Sequence, residues 1–173
     1  MNVHHKENWV QGRYLDIVRF FHKAGPLQIP GSETTFRFLS VEMRDQYGKI
    51  AAGEIGYLIG SVYTSLTGFF DRNSKDANNK MRYSGAGTVQ LVGLGLALKE
   101  MGVKFWNLGH PFEVPKSPND KGEMMYKADL GCRIVDRAEF LKIWYEAVDS
   151  PLPRLNLSTR NVRELISLRE YEH

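Results

Sequence analysis

Along the first part of the chain, apolar residues recur at helical spacing. Val10, Tyr14, Ile17, Val18 and Phe21 share one stripe between Asn8, a capping residue, and Gly25-Pro26, a stop signal, which predicts a helix over residues 9–24. Residues 26–35 read as a loop. The period then shortens: Leu39, Val41 and Met43 alternate across 36–44, as a half-buried strand requires. Asp45-Gln46-Tyr47-Gly48 suggests a hairpin turn. Its partner strand runs from Lys49 to Tyr57 and continues through Leu58-Ile59-Gly60-Ser61-Val62-Tyr63, followed by another short strand over 65–70. Gly53, Gly56 and Gly60 in this antiparallel meander invite bulges or close backbone approach.

Residues 71–80 are polar throughout and cannot bury a core face, so they are expected as a mobile surface loop. A glycine-spaced turn at 82–87 then leads into an apolar helix over 88–101, closed by Gly102, and into an apolar run over 103–108 that reads as a buried central strand. Residues 110–120, with prolines at 111, 115 and 118, form an irregular segment. A short helix over 123–129 ends at Gly131, a strand covers 132–135, and a helix over 137–148 carries Phe140, Leu141, Ile143 and Trp144. After the turn Ser150-Pro151-Leu152-Pro153, Asn161 and Glu164 fit a capping box for a helix over 162–171 whose apolar face is Val162, Leu165 and Ile166. This is an α+β order of helix, antiparallel strands, glycine turn, helix, strand, helix, strand. Two neighbouring strands of such a sheet can splay at the glycine turn and open a cleft. Residues 1–149 form one domain and 150–173 a C-terminal tail with a short helix.

Composition narrows the classes. A chain of 173 residues, 42% hydrophobic, carries one domain with a substantial core. A net charge of +3 is far from the balance that alone argues for nucleic acid, although a local basic face remains open. The single cysteine, Cys132, excludes an intramolecular disulfide and a cysteine-rich metal site. No stretch approaches the ~20 apolar residues of a membrane span, and the start lacks a signal-peptide pattern, so a soluble cytoplasmic protein is expected.

The glycine turn is the first candidate for chemistry. Gly85 and Gly87 remove the Cβ atoms that keep a phosphate from the backbone, and the free N–H groups of the following helix point at whatever sits there. The same glycines are equally explained by a tight turn, with Gly93, Gly95 and Ala97 letting the helix pack closely on a sheet. Arg82-Tyr83-Ser84-Gly85-Ala86-Gly87 resembles the Arg/Gln-x-x-Gly-x-Gly/Ala signature of the GNAT superfamily, the fold of the GCN5-related N-acetyltransferases, and Tyr126-Lys127-Ala128-Asp129-Leu130-Gly131 resembles its later tyrosine-helix-glycine element. That resemblance implies a GNAT-like, mostly antiparallel splayed sheet flanked by helices, with residues 82–87 and Tyr126 on the pyrophosphate and thiol of an acetyl-CoA or another acyl-CoA.

A second resemblance covers about residues 7 to 155. Asn8-Trp9-Val10, Lys23-Ala24-Gly25, Val41-Glu42-Met43, Gly53-Glu54-Ile55, Leu58-Ile59-Gly60, Leu130-Gly131-Cys132-Arg133-Ile134 and Arg137-Ala138-Glu139-Phe140-Leu141 follow in order the C-terminal domain of leucyl/phenylalanyl-tRNA–protein transferases, which are themselves GNAT-like. It implies transfer of an amino acid from its tRNA to a protein N-terminus, marking the protein for degradation. Aminoacyl-tRNA and protein N-termini would be the partners, and no cofactor is required with that donor. The chain departs from this family too. Its smaller N-terminal domain has no counterpart here, and its Asp-x-Gln is replaced by Asn107-Leu108-Gly109. The family's acidic residue after the meander has its nearest counterpart in Asp71, about one residue out of register, while the 82–87 motif belongs to the acetyltransferases.

Both resemblances imply attack of an amine on an activated acyl carbon, for which the amine must lose a proton. His110, Asp71 and Glu54 are the candidate acceptors, and Asn107 can only orient. A surface position is the competing reading for His110, as is a solvent-facing or salt-bridged strand position for Glu54. Tyr126 either protonates a thiolate leaving group or belongs to the core. His4-His5 lacks a third ligand and no metal is expected. Cys132 reads as a small core residue at the start of a buried strand. Lys6, Arg13, Arg19 and Lys23 form a solvated or phosphate-touching helix face. A silent module that binds protein N-termini is the third reading, motivated by the replaced Asp-x-Gln.

Overall fold

Three hairpins and one crossover build the sheet. The computed structural model describes residues 10–110, 124–150 and 160–167. After α1 (Arg13–Ala24) come β1 (Leu27–Gln28), β2 (Thr35–Arg44), β3 (Ile50–Ile59) and β4 (Val62–Phe70), then α2 (Ala86–Glu100), β5 (Phe105–Asn107), α3 (Tyr126–Asp129), α4 (Arg137–Val148) and α5 (Val162–Ser167). The strand order is β1-β2-β3-β4-β5, antiparallel except for the last pair. This is an open α+β fold with a mixed five-stranded sheet flanked by helices.

Asp45 makes the β2–β3 turn: its Oδ1 accepts from the Tyr47 and Lys49 amides, and Gly48 takes the left-handed conformation at φ 78° that the turn needs. The β3–β4 turn is tighter. Gly60, at φ 53°, passes so close to α4 that a Cβ there would lie 2.0 Å from the Val148 carbonyl oxygen. Within β3, Gly56 sits beside the register shift after Ile55, where a Cβ would strike the Tyr63 hydroxyl.

β3 is buried on both faces. On one face, Leu58 and Tyr63 pack with Leu94 and Leu98 of α2 and with Leu39, Val41 and Trp106. On the other, Phe38 and Ile55 meet Leu15, Val18 and Phe21 of α1, and Val62 meets Ala147, Val148 and Trp144 of α4. Leu58 is fully buried, a contribution of about 1.5–3 kcal/mol. α5 lies on α2, with Val162 filling the space over Gly93 and Arg160 paired to Glu100.

Several elements differ from expectation. Gly12 precedes α1, which begins at Arg13; Tyr14 and Ile17 are exposed and Leu15 takes their place inward, because the apolar stripe is wider than the face the sheet covers. The run after Tyr57 breaks at Gly60-Ser61, so β4 starts at Val62. α2 begins at Ala86, two residues early. β5 is an edge strand of three half-buried residues among the described ones, not a central strand. Residues 132–135 form no strand: although β5 leaves an edge among the described residues, they pair with none of it and lead directly into α4. The polar loop is at the surface and folds its own Asp76-to-Lys80 turn. Asn161 caps α5 through the Arg163 amide, and Asp136 caps α4 through that of Glu139. His4, His5, Lys6, Asn8, the residues 111–123 and 151–159, and the expected end of α5 beyond Ser167 lie outside the described residues. Among those described, no helix is long and apolar enough to cross a membrane.

Candidate functional site

The crossover from β4 to β5 organises the candidate residues. Gly85 precedes α2 at φ 78°, in the left-handed region, with no side chain capping the helix and no acidic residue in the first turn. The Ala86 and Val89 amides bond backward to Tyr83 and Gly85, while among the described residues no backbone carbonyl accepts from Gly87 or Thr88. Gly85 is required by its φ. A Cβ at Gly87 would only touch Phe70 at 3.5 Å, so Gly87 is not needed for packing. Gly95 is: a Cβ there would lie 2.7 Å from the Trp106 ring.

The side chains flanking that turn face elsewhere. Tyr83 donates to Asp45 Oδ2 at 2.7 Å and Arg82 approaches the same carboxylate at 3.7 Å, its guanidinium 5.7 Å from the Tyr47 ring centre. Asp71 accepts from Ser74 Oγ and from the Asn73 and Ser74 amides, with Lys49 Nζ at 3.3 Å. Both carboxylates titrate below their ordinary range, Asp45 chiefly through Tyr83 and Asp71 chiefly through Ser74. Arg82, Tyr83 and Asp71 therefore clasp the 71–85 loop to the β2–β3 turn. Ser84 is exposed and Ala86 buried.

Under the first turns of α2 lies a different kind of site. Glu54, 3% exposed, accepts from Tyr63 Oη at 2.8 Å and Ser65 Oγ at 2.9 Å, both on the same oxygen, and Ser65 accepts from Trp106 Nε1 at 3.0 Å. No cation pairs with it among the described residues. Burial pushes the carboxyl above its ordinary range, partly offset by Tyr63, Ser65 and the nearby Gln90 carboxamide. Burial and the Glu54 charge raise the Tyr63 phenol, which stays protonated. Gln90, 5% exposed, lies against Glu54 and lowers its carboxyl, although its Nε2 meets no acceptor at full hydrogen-bond geometry among the described residues. The reading of Glu54 as solvent-facing or salt-bridged is thus corrected: its strand is covered on both faces. A signal was present, since Glu54 is the only charged residue between Lys49 and Asp71.

β5 brings in the remaining candidates. Asn107 pairs with Thr64 and its Oδ1 accepts from the Gly109 amide, closing a turn at the strand's exit. His110 is exposed three residues on. The buried Lys127 donates to the Leu108 and His110 carbonyls and so ties α3 to that exit; burial holds its ammonium below the ordinary lysine range. Tyr126 is 40% exposed, and burial together with the Glu54 charge raises its phenol. Cys132 is half-buried, outside any strand, and burial raises its thiol. A groove of about 380 Å³ runs between α2 and α3, lined by Leu91, Val92, Leu96, Trp106 and Leu130 with Asp129 at its rim.

The structure brings Glu54, Gln90, Trp106 and Tyr126 together beside the exit holding Asn107 and His110. It does not bring Asp71 to Asn107: β4 runs six residues past Thr64 to Phe70, about 20 Å of extended chain. Among the described residues no three His, Cys, Asp or Glu side chains form a metal-holding group. Searches against protein-family models, curated proteins and solved structures find no match to this chain.

Proposed function

We propose that the chain is a GNAT-like acyltransferase that moves an aminoacyl group from tRNA to the N-terminal amine of a protein. The observation that carries this reading is the buried Glu54 carboxyl, paired with no cation among the described residues and linked through Ser65 to Trp106, which also lines the groove between α2 and α3. A carboxyl raised by burial is suited to take a proton from an ammonium. The amine nitrogen attacks the acyl carbonyl, the C–N bond forms as the ester C–O bond to ribose breaks, and the proton passes through Glu54 to the leaving oxygen. The groove's leucines, valine and tryptophan suit an apolar aminoacyl side chain. His110 is a second proton acceptor at the β5 exit, Asn107 shapes that exit, and Asp71 anchors the loop.

The test is to offer leucyl- or phenylalanyl-tRNA and a peptide with a free N-terminus, and to weigh the peptide by mass spectrometry. Addition of the amino acid is expected, and no addition with either tRNA sinks the reading. A second reading, an acyl-CoA-dependent N-acetyltransferase, is favoured by the α2 terminus, where among the described residues no backbone carbonyl accepts from the Gly87 and Thr88 amides and no side chain caps the turn. Under it Gly87→Glu abolishes acetyl-CoA binding while the fold survives, since the added side chain meets only Phe70 at an ordinary distance.

A further inference from the structure

We infer that Asp129 selects the ligand of the groove between α2 and α3: it pairs with the α-ammonium of an amino-acid residue whose apolar side chain lies in the groove and whose carboxyl is esterified or amidated, and it turns away the free amino acid. The inference rests on the aminoacyl-transfer reading, in which the groove takes the donor's side chain, and deepens it by naming the residue that tells the donor from free leucine or phenylalanine.

The groove is where the structure has room. Its volume of about 380 Å³ falls in the range of small-molecule sites, roughly 300–1,000 Å³. Leu91, Val92 and Leu96 of α2 and Leu130 beyond α3 line it with the Trp106 ring, which approaches α2 so closely that a Cβ at Gly95 would lie 2.7 Å from it. Asp129 is the one ionisable residue in that lining. Its carboxylate is exposed, and among the described residues no cation pairs with it. A carboxylate at the mouth of an apolar groove, with no basic group beside it, favours a cation over an anion. A leucyl or phenylalanyl ester answers to both features: it carries an apolar side chain and an ammonium, and no negative charge. The free amino acid brings a carboxylate two bonds from its ammonium, and the lining holds no lysine, arginine or histidine to receive it. The pairing also serves the chemistry. A carboxylate beside an amine favours its protonated form, so the donor's own amine stays an ammonium and does not compete with the acceptor as nucleophile. The N-terminal residue of an acceptor presents the same unit, but pairing with Asp129 would hold its amine in the unreactive form, so the donor is the occupant.

An NMR titration of the full chain reads both affinity and place. Leucinamide is expected to shift, saturably, the amide resonances of residues 91–96 and 129–131. Two probes differ from it by one charge: 4-methylpentanamide lacks the ammonium, and free leucine adds the carboxylate. Each should bind about three- to fivefold more weakly, the worth of an exposed ion pair, and added salt should shrink the margin. Alaninamide, shorter by three side-chain carbons, should bind at least about tenfold more weakly. Asp129→Asn keeps the side-chain shape at an exposed position and should bring leucinamide, leucine and 4-methylpentanamide to within about twofold of one another. Equal binding of those three by the unsubstituted protein, shifts confined to other parts of the chain, or no saturable shift overturns the inference. Transfer from leucyl-tRNA with unselective or misplaced binding of the probes defeats Asp129 as the selector and leaves the activity standing. Selective binding at the groove without transfer defeats the activity and leaves the selector.

Discussion

Two polar clusters stand beside the same meander, and they are opposites. The clasp of Asp45, Lys49, Asp71, Arg82 and Tyr83 is charge-compensated, with its cations exposed to water, and its carboxylates are held below their ordinary range by hydrogen bonds and cations. The Glu54 cluster is buried with no cation paired to it among the described residues, and burial pushes its carboxyl the other way. Compensated surface charges organise a loop and contribute modestly to stability. An uncompensated buried carboxyl is maintained against a desolvation cost, and such a group is a functional-site candidate on physical grounds. The residues that motif resemblance singles out, Arg82, Tyr83 and Asp71, fall in the first cluster, and the carboxyl that burial raises falls in the second.

The strongest way to break this contrast is Glu54→Gln. On the acyl-transfer reading turnover should fall about 10²–10⁴-fold, the usual worth of a general base, and steady-state transfer assays read it directly. Stability should move oppositely. Because the folded carboxyl titrates above its ordinary value of 4.5, the unsubstituted protein is penalised as pH rises from the unfolded value through the raised folded one. The Gln variant escapes that penalty, so its advantage in urea unfolding is small at low pH and grows toward neutrality. An unchanged turnover would return Glu54 to a structural role and leave His110 as the acceptor.

Much of the frame is legible in the residues alone. The Asp45-to-Gly48 turn, the alternation of β2, the span of α4 and its stop, and the Asn161 cap all follow from local chemistry that tertiary packing does not overrule. Glu54 is harder. Alternation assigns a residue to one face only when the other is wet, and β3 is covered by α2 on one side and α1 on the other. The apolar run at 103–108 looks central for the same reason an edge strand does when helices cover it, since composition reports burial and not the number of neighbours. Gln90 carries no signal: in a helix of glycine, leucine and valine, only the fold reveals that its carboxamide lies buried against Glu54.

Lys127→Met sharpens the contrast from the side of the β5 exit. It leaves the Leu108 and His110 carbonyls without their shared donor, and unpaired buried acceptors cost about 1–3 kcal/mol each, although His110 lies at the surface and water recovers part of its share. The expected result is a loss of stability by chemical denaturation, with faster amide hydrogen exchange confined to residues 105–110. If exchange accelerates instead across the whole sheet, Lys127 supports the core and not the exit.

The smallest effect belongs to the clasp. Asp71→Asn keeps the shape of the side chain and removes the charge that Lys49 and Ser74 favour, so it should lower stability slightly at neutral pH. The sign follows from the direction of the shift: a carboxyl titrating below its ordinary value of 3.8 in the folded state contributes stability above the unfolded value and loses it as pH falls through the folded one. The variant and the unsubstituted protein should therefore converge in acid, as thermal unfolding at a series of pH values would record. A variant that keeps full stability but loses amino-acid transfer would mean that Asp71 reaches the reacting amine after all. The separation of the two clusters along β4 makes that outcome the one this contrast forbids.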